Sequence, residues 1–134
     1  MGDLDEAREL LVMATKDLGA LRAMGDNPEF VDEIFGFHAQ QAIEKALKAW
    51  IVLLDVDYPL THNLTALLGV IDEHGADASK FRGLARYTSF AVQFRYQQSE
   101  PGGTSLNRAE AVREATEILE HVARLIAEAK PDAQ

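Results

Sequence analysis

The chain has 134 residues, with 22 acidic against 13 basic side chains, no cysteine, 47% hydrophobic residues and 7% aromatics. A chain of this size folds as one domain, residues 1–134, and buries about two thirds of its surface, so a core forms without staples. The missing cysteines exclude a disulfide scaffold, thiolate metal sites and thiol nucleophiles, and the net charge of −9 argues against a protein that coats DNA or another polyanion.

In chain order, apolar residues recur near every 3.6 positions and no run alternates with period two, so the fold is expected to be all-α. Leu4, Ala7, Leu11, Ala14, Leu18 and Leu21 form the stripe of a first helix that stops near Gly25-Asp26-Asn27-Pro28. A second helix runs from about Phe30 to Leu54, with Phe35, Ala39, Ala42, Ala46, Ala49 and Leu53 facing inward, and breaks at Asp57-Tyr58-Pro59. A short third helix spans Asn63 to His74, with Thr61 as candidate N-cap and Gly75 as its stop. A fourth covers roughly Ser79 to Gln97 and a fifth roughly Leu106 to Ala129, separated by Pro101-Gly102-Gly103. The pattern predicts an antiparallel up-and-down bundle of four main helices plus a short one. Phe30, Ile34, Phe37 and Trp50 exceed what a single core stripe needs, which predicts a homodimer.

No apolar run reaches the roughly 18 residues of a membrane span, and the acidic N-terminus lacks the basic start of an export signal, so a cytoplasmic protein without membrane contact is expected. Charge is unevenly spread. Residues 1–36 carry nine acids and three bases, whereas residues 78–99 carry Lys80, Arg82, Arg86 and Arg95 and no acid. No P-loop, dinucleotide fingerprint, His-Glu-x-x-His or Glu-x-x-His motif is present, and the four histidines fall on different elements, so neither a cofactor nor a metal is expected.

Two features suggest an anion site. On the second helix His38, Gln41, Lys45 and Lys48 share a polar, basic rib without an acid in it, with Glu44 on its flank. On the fourth, the inner series Phe81, Leu84/Ala85, Thr88, Ala91/Val92 continues to Arg95, a guanidinium at a core position that needs a carboxylate, solvent or a ligand anion. Tyr87 and Tyr96 flank it with ring faces on which a base can stack.

Three strings carry a family resemblance: Phe37-His38-Ala39-Gln40-Gln41-Ala42-Ile43-Glu44-Lys45-Ala46-Leu47-Lys48-Ala49, then Thr61-His62-Asn63-Leu64, then Phe90-Ala91-Val92-Gln93-Phe94-Arg95-Tyr96. In this order they resemble the HEPN domain (higher eukaryotes and prokaryotes nucleotide-binding). The resemblance implies a small helical bundle that usually dimerises around a polar groove, and in prokaryotes a pairing with a minimal nucleotidyltransferase, often as toxin and antitoxin. Many members are ribonucleases with an Arg separated from a His by four to six residues, and none of His38, His62, His74 and His121 has an Arg five to seven positions before it. The expected function is therefore a nucleotide- or substrate-binding module without catalytic residues, partner to a minimal nucleotidyltransferase and with a nucleotide or RNA as ligand, in which His38, Gln41, Lys45, Lys48, His62, Arg86, Tyr87, Arg95 and Tyr96 are the binding residues. The alternatives are a metal-independent ribonuclease whose site is rearranged, and a module that only binds another protein, its acidic first helix facing a basic partner.

Overall fold

A computed structural model describes residues 3–91 and 106–129, and those residues are helices and connecting loops without a strand. Helix α1, Leu4–Met24, begins where the Asp3 carboxylate accepts from the Glu6 amide at 3.1 Å, with Asp5 and Glu6 at the positive end of the helix dipole. It ends at Gly25, whose φ of 49° is a conformation a side chain resists.

Helix α2, Asp32–Leu53, has no side-chain cap at Val31. Its start is held instead by α4, Arg108–Glu128. The Arg108 guanidinium donates to the carbonyls of Gly25 at 2.9 Å, Asn27 at 3.2 Å and Phe30, and to the Asp32 carboxylate at 3.0 Å, while lying 4.9 Å over the Phe35 ring. One arginine thus collects the loose carbonyls of the α1–α2 connection.

Helix α3, Leu64–Glu73, is capped by Asn63, whose side chain accepts from the Ala66 amide at 3.2 Å. Thr61, expected in that role, lies two residues too early and instead accepts from the Asn63 amide at 3.0 Å.

The expected fourth α-helix is different. Ser79–Phe90 winds as a 3-10 helix, and residues 92–97 of the expected span lie outside the described residues. Three residues per turn put Phe81, Leu84, Tyr87 and Phe90 on one line, and the first three of these are buried. An α-helical reading instead turns Thr88 inward after Leu84. The extrapolation of an α-period from Phe81 to Arg95 therefore has no basis in this segment.

Short α1–α2 connection and long α3 return set the topology. Asp32 meets Arg108 and Trp50 meets His121, so α4 runs parallel to α2; Arg22 reaches Thr116 at 3.2 Å from the antiparallel α1. Helix α2 is the axle, packed against α1, α3, α4 and the 3-10 segment. Trp50, expected as surplus apolar surface, is 4% exposed and packs edge-on against Phe81 and tilted against His121, because α4 and the 3-10 segment close over the end of α2. Phe30 and Ile34 do stay exposed. No described helix is long and apolar enough to cross a membrane.

The end of the 3-10 segment docks on α2 at Gly36, where an added Cβ would lie 2.2 Å from the Phe90 ring. Gly36→Ala is therefore expected to lower stability by about 1–3 kcal/mol despite its better helix propensity. In a Phe90→Ala background the same substitution should become neutral or stabilising, a coupling that denaturant melts of the double-mutant cycle will register.

Candidate functional site

Gln40, Glu44 and Lys48 follow one another at four-residue spacing along α2, and so form a single line. On an exposed helix such a line would face water. Here Gln40 is fully buried and Glu44 is 4% exposed, beneath the connection between α2 and α3. Glu44 accepts from Gln40 Nε2 at 2.8 Å, from Lys48 Nζ at 2.8 Å and from His62 Nδ1 at 2.9 Å. Gln40 Nε2 also donates to the His62 carbonyl at 3.0 Å, and Gln41 Nε2 donates to Gln40 Oε1 at 2.7 Å. Lys48 lies 5.1 Å over the Tyr58 ring. Among the described residues no buried side-chain nitrogen or oxygen lacks a partner.

Burial alone would push the Glu44 carboxyl up, but the donors Lys48, Gln40 and His62 outweigh it and hold its pKa below the ordinary carboxylate value. Glu44 is thus an anion at neutral pH and can only accept. That requirement assigns the proton of a neutral His62 ring to Nδ1. The ring is otherwise open, with a side-chain exposure of 62%, and Nε2 has no partner among the described residues. A buried carboxylate beneath an exposed imidazole fixes the ring's tautomer and orientation and leaves one nitrogen ready to accept a proton or hydrogen bond.

A second acid meets the same face of α2. Asp17 of α1 accepts from Lys45 Nζ at 2.7 Å and lies 3.0 Å from His38 Nδ1. The rib of His38, Gln41, Lys45 and Lys48 thus exists as a line, but it is not an acid-free basic surface. Asp17 arrives from the neighbouring helix and Glu44 turns in from the flank, so each lysine already has a carboxylate. Both lysines are largely covered, at 20% and 12% exposure.

A model of the HEPN domain matches residues 7–130. The chain belongs to the HEPN family. No curated protein and no solved structure gives a significant match. Family membership supports a nucleotide-binding or ribonuclease-like module, and HEPN domains commonly dimerise.

Other residues expected at the binding site of this HEPN domain are engaged elsewhere. The Arg86 guanidinium bonds Glu110 at 2.9 Å and Glu114, and donates to its own Gly83 carbonyl at 2.7 Å. Tyr87 is 1% exposed and donates to Glu114 at 2.7 Å, so its ring offers no stacking face. Burial and Glu114 push that phenol well above its ordinary pKa. Both residues belong to a lock between the 3-10 segment and α4, because the period of three turns Tyr87 inward. Arg95 and Tyr96 lie outside the described residues. A cleft of about 370 Å³ between the start of α1 and the end of α2 is lined by Asp3, Glu6, Asp55 and Asp57, a field that disfavours phosphate. No group of three or more His, Asp or Glu among the described residues is arranged to hold a metal.

Sequence reasoning passed over Gln40, Glu44 and Asp17. The available signal was the Gln40-Glu44-Lys48 line at four-residue spacing, set beside the polar rib of the same helix.

Glu44→Gln leaves Lys48 without its counter-charge and is expected to cost about 3 kcal/mol at neutral pH. The folded pKa of Glu44 is depressed, so this stability is present above the unfolded value of 4.5 and is lost as pH falls through the lower folded value. Denaturant titrations of wild type and variant across that acidic range should therefore converge.

Proposed function

We propose that this HEPN domain is a nucleotide- or RNA-binding module whose recognition face is the edge of the polar line on α2 together with the loop that carries His62. The observation that carries the reading is the exposed His62 imidazole held from below by buried Glu44. Lys45 and Lys48 each use one of three ammonium donors on a carboxylate and retain others for a phosphate, while His62 Nε2 and the half-buried Gln41 amide supply directional contacts. Arg95 and Tyr96 are proposed as further binding residues, a guanidinium for phosphate and a ring on which a base can stack. The module acts as a cytoplasmic homodimer beside a minimal nucleotidyltransferase, in a pair of toxin–antitoxin type. Family membership and the exposed Phe30, Val31 and Ile34 at the start of α2 support dimerisation.

A metal-independent ribonuclease is the second reading, and one observation favours it: a carboxylate-oriented imidazole is the group that would take a proton from a ribose 2′-hydroxyl. The Arg-to-His spacing of the family's ribonucleases is absent. Binding without cleavage is the reading preferred here.

Calorimetric titration with mononucleotides and a short single-stranded RNA tests it. Wild type is expected to bind, and His62→Gln to bind about tenfold more weakly or worse, as befits one lost polar contact in a charged site. Equal affinities would remove His62 from the site. Labelled RNA in EDTA should remain intact; cleavage that vanishes in His62→Ala would establish the second reading. Light scattering should return twice the 14.8 kDa chain mass.

A further inference from the structure

His38 lies against Asp17, His62 against Glu44, and His74 against the Val70 carbonyl. His121 is different: its ring nitrogens have no hydrogen-bond partner among the described residues. The ring is held by tilted aromatic contacts, with its centroid 4.6 Å from Trp50 and 5.0 Å from Phe81. Two cations share this place. Lys80 Nζ lies 5.6 Å from the centroid of the same Phe81 ring, and Arg124 follows His121 by three residues on α4, where helix geometry makes them neighbours. Neither Lys80 nor Arg124 is paired with a carboxylate among the described residues, whereas Lys45, Lys48, Arg82, Arg86 and Arg108 all are.

Burial first, then Arg124 and Lys80, push the His121 imidazole below its ordinary pKa; Glu128, one turn further along α4, opposes them. Helix α2 presents the uncharged Trp50 to the ring. This face therefore gathers two permanent cations and a neutral imidazole that would become a third, with Glu117, Glu120 and Glu128 as the acids within one turn of His121 or Arg124 on α4, on a protein of net charge −9. A ligand with several anionic oxygens supplies acceptors for all three. Phosphate fits better than a carboxylate because the planar guanidinium can take two of its oxygens while an ammonium and an imidazolium take others.

We propose that Lys80, His121 and Arg124 form an oxyanion site for a phosphate group, separate from the α2 face, and that the anion binds with His121 protonated. Binding strengthens as pH falls through the imidazole range. It does not depend on the reading of the α2 face.

Trp50 is the chain's one tryptophan, and a protonated imidazole in contact with indole quenches its fluorescence. Trp50 emission and the His121 ring-proton resonance, identified by its loss in His121→Gln, are followed against pH with inorganic phosphate or with chloride at matched ionic strength. Sulfate, dianionic across the range, separates the titration of the protein from that of the ligand. Both oxyanions should raise the His121 midpoint saturably and more than chloride does. Arg124→Gln and Lys80→Gln should weaken the effect about tenfold or more, and Glu128→Gln should strengthen it. Circular dichroism checks that each variant is folded. Equal shifts with chloride would reveal screening of Lys80 and Arg124 alone and overturn the site. So would unchanged phosphate affinity in folded Arg124→Gln.

Discussion

A carboxylate in the wall of the central helix is the constraint on which the rest of the proposed recognition face depends. An unpaired anion as deeply covered as Glu44 would cost several kcal/mol, so its partners are obligatory. Gln40 and Lys48 supply two donors from the same helix, and the third, His62, comes from the connection to α3. Gln40 then takes the His62 carbonyl with its remaining amide proton. The loop is held at both its backbone and its ring, and an imidazole that local sequence would leave swinging is given one orientation. The same bonds that satisfy a buried polar line hold the group best placed to meet a ligand.

Elsewhere, charge links the helices. Arg108 ties α4 to the α1–α2 connection, Arg86 ties the 3-10 segment to α4, and Asp17 ties α1 to α2. Each pair sits where two elements meet, partly out of water, where Coulomb attraction is less screened than on the surface. Cations counted in the sequence as an anion-binding surface are in large part consumed by these internal pairs. Binding potential on this acidic protein therefore resides in directed donors and acceptors at particular atoms, with little contribution from a broad positive field.

Helix stops were legible because they are local: Gly25 and Gly75 adopt positive φ, and Asp57-Tyr58-Pro59 marks the connection that follows the end of α2 at Leu53. The all-helical class was legible from periodicity, and the family from three short strings. The winding of Ser79–Phe90 was not, since Phe81 and Leu84 begin an inward stripe in both an α- and a 3-10 helix, and only the choice between Tyr87 and Thr88 separates them. The pairing of His38 and Lys45 was invisible because Asp17 is brought to them by the fold, across a helix boundary. Glu44 was misjudged for a related reason. Projection of one helix separates inside from outside, but α2 is enclosed by four neighbours and its polar flank is interior.

The central claim concerns one proton. In water, neutral imidazole carries its hydrogen mainly on Nε2; above Glu44 it should reside on Nδ1. Nitrogen NMR of His62 at a pH where the ring is neutral reads the tautomer directly. The account predicts an Nδ1–H ring with bare Nε2 in the native protein, reverting toward the ordinary mixture in Glu44→Gln. A native His62 already in the Nε2–H form, unchanged by the substitution, would contradict it.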